Sequence, residues 1–326
     1  MRRRKLAMIG IDAGDRRFIE AHASALPHLT RVCLEGAVTD LATSSELLTG
    51  SVWPTFYTGC SPGEHGFYHH LQWDPEQMRI RRVAADWLYS EPFWYALARE
   101  GYSVAVLDVP MTFPSRLDRG IEVINWGSHD QLGVFHSNRP EVARAIRTRF
   151  GRHPMGPEIP VDKTRRQLQR IRDNLVRGAA RKGALIRWLL ESQEWDFFLA
   201  AFGECHRGGH ILWPEDRPGS VIPEHALLDV YRAVDEALGS VLPLLERTAV
   251  TLVLFALHGM ESNRAQEHFV PGIMDRVNCD FRGDGGAAAA RPGQRSLMRF
   301  LRSALPARLQ HAVARAVPVA VRDWVV

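Results

Sequence analysis

The feature that most narrows the fold is a rhythm, in which short apolar runs alternate with segments of helical period between residues 6 and 256. The runs are Leu6 to Gly14, Ala37 to Leu41, Val104 to Val109, Ile121 to Trp126, Trp195 to Phe202 and Val250 to Ala256. Runs this short and this continuously apolar read as parallel strands buried on both faces. Between them, Arg16 to Leu34 ends before Gly36 and Phe93 to Glu100 ends before Gly101. Each glycine stands where a helix stop is expected. Leu227 to Leu245 carries apolar residues at 227, 228, 230, 231, 234, 238, 241 and 242, one stripe of an amphipathic helix. The expected fold is α/β, a doubly wound, mostly parallel sheet with helices on both faces and ligands at the carboxyl ends of its strands.

At 326 residues and 45% hydrophobic, the chain can bury a full core and is long for one compact domain. One domain with a large insertion is the economical reading. Residues 139–194 supply the insertion: they are basic and helical, with Arg165, Arg166, Arg170, Arg172, Arg177, Arg181 and Lys182 in one region. Such a run reads as a solvated helix face ahead of a phosphate-recruiting surface. Residues 67–92 hold Tyr68, His69, His70, Trp73, Trp87 and Tyr89. With no basic run among them, they read as an aromatic-packed surface excursion rather than a base-stacking platform. Gly283 to Gly293 reads as a Gly/Ala-rich linker, and Ser296 to Val313 as a basic amphipathic helix. The expected domains are therefore 1–281, with the insertion at about 139–194, and a tail of 282–326.

A net charge of +4, from 41 Lys+Arg against 37 Asp+Glu, speaks for solubility and gives no sign of nucleic acid. Cys33, Cys60, Cys205 and Cys279 form no CxxC pair and no dense framework, which fits a reducing compartment. Asp12 and Asp15 cut short the apolar run that follows Met1 to Lys5, so it does not read as a signal peptide. No later stretch reaches the roughly 18 apolar residues of a spanning helix. A cytoplasmic protein is expected, with no transmembrane segment.

Chemistry gathers at the ends of the runs. The first delivers Asp12. Trp195 to Phe202 leads into Glu204, His206 and His210, and Val250 to Ala256 leads into His258. His206 and His210 are four apart, the spacing at which one helix offers two imidazoles to a first-row metal. Ile121 to Trp126 empties into Gly127-Ser128-His129-Asp130, making Asn125, His129 and Asp130 candidates for a substrate pocket, with a capping role equally open to Asp130. Glu46 to Gly66 places Thr49 beside Gly50 and Ser51 at the start of a helix, where unpaired N–H groups favour a phosphoryl or sulfuryl oxyanion. Thr49 is there either as a nucleophile or as an N-cap, and Gly50 is a candidate substrate contact.

Four segments together, Ile9 to Gly14, Thr49 to Gly66, Glu204 to Trp213 and Phe255 to Met260, resemble the type I phosphodiesterase/nucleotide pyrophosphatase branch of the alkaline phosphatase superfamily. The most specific is Thr49-Gly50-Ser51 followed by Thr58-Gly59-Cys60-Ser61-Pro62-Gly63-Glu64-His65-Gly66, which is similar to the branch's nucleophile segment with Thr49 in the nucleophile's place. The resemblance implies an alkaline-phosphatase-like fold and a metal-dependent phosphohydrolase acting on a phosphodiester or phosphomonoester through a Thr49 phospho-enzyme. It implies one or two divalent ions, with zinc the leading choice, and a small phosphorylated substrate. Asp12 and His258 would hold one ion beside Thr49, and His206 with His210 part of a second. The last histidine ligand falls to His268, for which a plain surface role is the other reading.

The departures from the pattern matter as much. His206 stands where the family has Asp, and Leu257-His258-Gly259 where it has Asp-His-Gly. Each change removes a negative charge, and Leu257 cannot coordinate a metal. The family continues into further sheet after the point where this chain turns Gly/Ala-rich, so the resemblance leaves this sequence as either a chain naturally shortened at its C-terminus or a fragment. A second reading follows, of a degenerate member that binds an anionic ligand or a protein partner without turnover.

Overall fold

The computed structural model of the chain describes residues 4–46, 49–114, 117–129, 132–156, 163–214, 221–248, 250–262 and 269–282. In chain order its elements begin with β1 (Leu6–Ile11), α1 (Arg16–Ala21), α2 (Pro27–Glu35), α3 (Val52–Thr58), α4 (Pro62–His65), β2 (Leu71–Asp74) and β3 (Arg79–Arg82). They continue with α5 (Phe93–Arg99), β4 (Val104–Leu107), β5 (Ile121–Ile124), β6 (His136–Ser137), α6 (Pro140–Arg149) and α7 (Arg165–Ser192). The last are β7 (Phe197–Phe202), α8 (Glu204–Leu212), α9 (Ala226–Arg247), β8 (Thr251–Phe255) and α10 (Val270–Arg282).

The main sheet has the order β6-β5-β4-β7-β1-β8, parallel throughout except for β6, which pairs antiparallel with β5. Parallel neighbours need crossovers, and helices provide them on both faces. The pleat sends alternate side chains to opposite sides. Phe198, Ala200 and Phe202 of β7 join Ala7, Ile9 and Ile11 of β1 in one cluster, covered by Leu29, Ile146, Leu175, Leu185, Val230 and Val234 from α2, α6, α7 and α9. Phe197, Leu199 and Ala201 join the opposite cluster, covered by Val52, Trp53, Tyr57 and Trp94 from α3 and α5. β4, β5 and β7 are buried along their whole length, as their apolar runs lead one to expect, whereas the edge strand β8 is only partly covered, with Val253 37% exposed. Each fully buried Leu, Ile or Phe adds about 1.5–3 kcal/mol, so these two layers, more than any surface ion pair, hold the fold.

Several sequence expectations change. Arg16 to Leu34 is two helices: α1 stops at Ala21, a 3-10 turn covers Ala23–Ala25, and Pro27 opens α2 at its first turn. Ala37 to Leu41 is not a strand. Val38 and Leu41 are 52% and 57% exposed, and without a neighbour to take its backbone hydrogen bonds an apolar run forms no ladder. Residues 71–82 form a separate antiparallel hairpin of β2 and β3, with Trp73 opposite Ile80. α7 runs along α9, and Gly183 allows the approach, since a Cβ there would lie 2.6 Å from the Ala237 side chain. Lys182, expected on the solvated face of α7, is fully buried.

A second unit comprises Ile159–Lys163 and Ser262–Val326. Its main described element is α10, whose Val270, Ile273, Met274, Val277 and Phe281 form an exposed apolar stripe at helical spacing. The expected linker and tail helix of 283–326 lie outside the described residues. No helix among the described residues is long and apolar enough to cross a membrane.

Candidate metal centre and nucleophile turn

Strand ends deliver the site. Immediately after β1, the Asp12 backbone N–H donates to the Phe202 carbonyl at 2.9 Å, tying the end of β1 to the end of β7. Ala13 follows at φ 53°, a left-handed conformation that turns the chain sharply. Tyr231 of α9 steadies this turn: its hydroxyl donates to the Ala13 carbonyl (3.2 Å) and accepts from the Asp15 N–H (3.1 Å). The Asp15 carboxylate accepts from the backbone of Phe18, capping α1, and from Met260, two residues past His258. The turn carrying Asp12 and the loop carrying His258 are thereby joined.

Asp12 is 1% exposed. Its Oδ2 lies 2.7 Å from His206 Nδ1, its Oδ1 accepts from Trp53 Nε1 at 2.8 Å, and His258 Nε2 stands 3.6 Å from Oδ1. On α8, His206 Nε2 lies 2.9 Å from His210 Nε2. Burial by itself raises the Asp12 pKa, but the charges and hydrogen bonds of His206 and His258 outweigh it and hold the carboxyl well below its usual range. For His258, burial lowers the pKa and the Asp12 carboxylate more than reverses the effect. His129 is pushed well below the usual imidazole range by burial, then by the positive neighbours His206 and Arg207. Its ring sits 3.9 Å from that of His206, centroid to centroid.

Two sets of donor atoms follow: Asp12, His206 and His258, and His129, His206 and His210, the atoms of each lying within 4.8 Å of one another. Imidazole nitrogens with one carboxylate suit a borderline ion such as zinc better than magnesium or calcium, which favour oxygen. The donor set present therefore fits the group that the sequence resemblance implies.

Thr49 opens a 3-10 turn, Thr49–Ser51, that runs straight into α3. It is exposed, and no cap hydrogen bond from it occurs among the described residues; Ser51 holds the N-cap position. Gly50 is required by its surroundings, since a Cβ there would lie 2.7 Å from the Tyr68 carbonyl oxygen. The helix is anchored at both ends, by Trp53 on Asp12 and by Tyr57, whose hydroxyl donates to the Met111 carbonyl at 2.9 Å.

These elements enclose a cavity of about 270 Å³ lined by Asp12, Thr49, Gly50, Trp53, His69, His70, Pro110, Met111, His129, His206, His210 and His258. Of the residues singled out from sequence, Asp12, Thr49, Gly50, His129, His206, His210 and His258 meet there. Asn125 does not line it; its amide nitrogen instead reaches toward the Val134 carbonyl at 3.5 Å. Asp130 and His268 lie outside the described residues. Leu257 is 4% exposed and packs in the apolar cluster of Val52 and Trp53. Sequence reasoning missed Trp53, His69, His70, Pro110 and Met111 as lining residues. The paired histidines soon after Gly66 were the one visible signal.

Next to the segment that carries His129, Lys182 Nζ lies 2.9 Å from Asp108 Oδ2 and donates to the carbonyls of Gly127 (2.8 Å) and Ala201 (3.1 Å). Asp108 also accepts from the backbone N–H groups of Trp126 (2.8 Å) and Gly127 (2.7 Å). One buried ion pair thus clamps the segment before His129 to the strand that leads into His206. Beside it, Glu204 Oε1 pairs with His153 Nε2 at 2.8 Å.

With this geometry in view, the chain matches the family model described as "Type I phosphodiesterase / nucleotide pyrophosphatase" over residues 6–312. Among solved structures it is similar to phosphonoacetate hydrolase from Sinorhizobium meliloti 1021, in complex with phosphonoformate (TM-score 0.52, 14% identity) and with phosphonoacetate (TM-score 0.52, 16% identity). Each likeness covers 84% of this chain and 62% of the other, so the chain spans less than two thirds of those proteins. No match to a curated protein sequence is found.

Proposed function

This chain belongs to the type I phosphodiesterase/nucleotide pyrophosphatase family, in the alkaline phosphatase superfamily, and from that premise we propose that it is a metal-dependent phosphohydrolase working through a covalent intermediate on Thr49. The observation that carries the reading is the gathering of the Asp12, His206 and His258 donor atoms within 4.8 Å, in the cavity that Thr49 lines. Asp12, Thr49 and His258 would hold one ion; His206 and His210 would take part in holding another, with His268 available from outside the described residues. A bound divalent ion, zinc being the best match to these donors, supplies Lewis acidity that offsets charge on the phosphoryl oxygens and lowers the pKa of a nearby hydroxyl.

The chain's own groups do the rest. Thr49 Oγ attacks phosphorus in line with the leaving oxygen, the bond to that oxygen breaks, and the alcohol departs after taking up a proton. Water then attacks the phosphothreonine, releasing phosphate, or a monoester if the substrate was a diester, and restoring the hydroxyl. The Gly50 backbone N–H is offered to the phosphoryl oxyanion. The substrate is a small phosphorylated molecule, consistent with the volume of the cavity. The four free cysteines suit a cytoplasmic location.

A second reading keeps the fold and the anion binding but not the turnover. It is favoured by Leu257, whose burial among apolar side chains leaves this position without a ligand. Hydrolysis of bis(p-nitrophenyl) phosphate, p-nitrophenyl phosphate, p-nitrophenyl sulfate and phosphonoacetate, with and without added zinc, separates the two readings. Thr49→Ala abolishes hydrolysis while leaving the metal content largely intact and the fold unchanged, and Thr49→Ser retains part of the rate. Wild-type turnover by folded Thr49→Ala would remove Thr49 from the chemistry.

A further inference from the structure

His129 was singled out in the sequence as a substrate contact, yet its surroundings are those of a ligand. Its ring centroid lies 3.9 Å from that of His206, tilted by 34°, and 5.5 Å from that of His210, while the His206 and His210 rings stack on each other at 4.8 Å with 12° between their planes. Independently of the ring stacking, one nitrogen from each of the three imidazoles lies within 4.8 Å of the other two. His206 is the hinge of the arrangement. With Nδ1 hydrogen-bonded to Asp12 Oδ2 at 2.7 Å, its proton belongs on that side and its Nε2 lone pair faces His210. A carboxylate behind a histidine is the outer-shell device that orients a metal ligand and raises its basicity.

We propose that His129 completes, with His206 and His210, a three-imidazole site for a borderline divalent cation, separate in ligand set from the Asp12–His258 side of the cavity. The proposal rests on the reading of the cavity as metal-binding and assigns the third ligand of its second ion to His129 rather than to His268. The 2.9 Å between the Nε2 atoms of His206 and His210 approaches the ~3.3 Å edge that a tetrahedral zinc with about 2.05 Å bonds requires. Three neutral nitrogens without a carboxylate select zinc or cobalt over magnesium, calcium and manganese. Three protein ligands also leave the fourth position of a tetrahedral ion open, which is the pattern of a catalytic rather than a structural site.

The chain's packing supports a fixed place for this side chain. A Cβ on Gly203, the residue before α8, would stand 2.8 Å from the His129 backbone nitrogen, so only glycine lets the two segments meet. The Lys182–Asp108 pair holds Gly127, two residues before His129, to Ala201 of β7. His129 itself is 4% exposed. A metal ligand must be held in place in this way by its surroundings.

The test uses the full chain, stripped with a chelator and reloaded with zinc or cobalt. Wild type takes up two equivalents, and His129→Ala loses one, or weakens one site by at least roughly a hundredfold, beyond what loss of an outer-shell partner usually costs. His258→Ala loses the other equivalent. His129→Cys keeps two equivalents, and its cobalt form gains a near-ultraviolet thiolate-to-cobalt charge-transfer band, a signature that a merely structural residue cannot produce. Wild-type stoichiometry in His129→Ala, or folded His129→Cys lacking that band, overturns the assignment while leaving the proposed function standing. A wild-type protein that binds neither metal overturns the proposed function itself.

Discussion

Lys182→Met takes one charge from a pair that no solvent reaches, since both side chains are 0% exposed. Removing one partner of a buried pair costs about 3–5 kcal/mol, because the other charge is left uncompensated. Asp108 would keep the backbone donors of Trp126 and Gly127 at 2.8 and 2.7 Å, so the lower end, about 3 kcal/mol, is expected. The carbonyls of Gly127 and Ala201 lose a donor as well, which at about 1 kcal/mol each prevents the cost from falling much further. Adding Asp108→Asn removes the stranded charge, and the double variant should recover about 2 kcal/mol relative to the sum of the single changes. Guanidinium unfolding at neutral pH measures all four proteins in one cycle, and a domain with 5–15 kcal/mol in reserve stays folded for the comparison. A Lys182→Met protein within about 1 kcal/mol of wild type, or strict additivity in the cycle, refutes the claim that this pair clamps the segment before His129 to β7.

Leu257→Asp, the change that would restore the family's carboxylate, places an unpaired charge in the Val52–Trp53 cluster and should cost several kcal/mol; a thermal melt matching wild type would show that the residue can reach the cavity. His65 accepts the Phe67 N–H on Nδ1 at 3.0 Å and lies 3.1 Å from Thr55 Oγ1 through Nε2, an arrangement only the neutral ring allows. Its pKa is lowered from the ordinary 6.5, chiefly by burial. Its contribution is therefore complete above pH 6.5 and is lost as the pH falls from there toward the depressed folded value, because the unfolded chain takes the proton first. Stability measured across that window should decline in wild type and decline less in His65→Gln; equal slopes would sink the reading.

Asp12, His206, His210 and His258 were legible because each follows an apolar run that becomes a parallel strand, and parallel strands share a ligand-binding edge. Lys182 was not. Its neighbours Arg177 and Arg181 are exposed, and local period cannot reveal that one basic residue of the stripe turns toward Asp108, 74 positions earlier in the sequence. Trp53 reads as core and is core on one side, yet its indole N–H reaches Asp12, a contact set by how α3 crosses the end of β1. Ala37 to Leu41 failed for the opposite reason: apolar character predicts burial, but a strand also needs an edge to pair with, and order in the sheet is a property of the whole chain. His129 was found as a polar residue at a strand end, while its ring contact with His206 depends on the adjacency of β4 to both β5 and β7.

The stereochemical course at phosphorus tests the central claim most directly. A phosphorothioate diester chiral at phosphorus, hydrolysed in isotopically labelled water by the zinc-loaded enzyme, passes through two in-line displacements if Thr49 is the nucleophile. Each displacement inverts the centre, so the account predicts net retention. Net inversion would mean that water attacks the substrate directly, and the phosphothreonine intermediate would have to be abandoned.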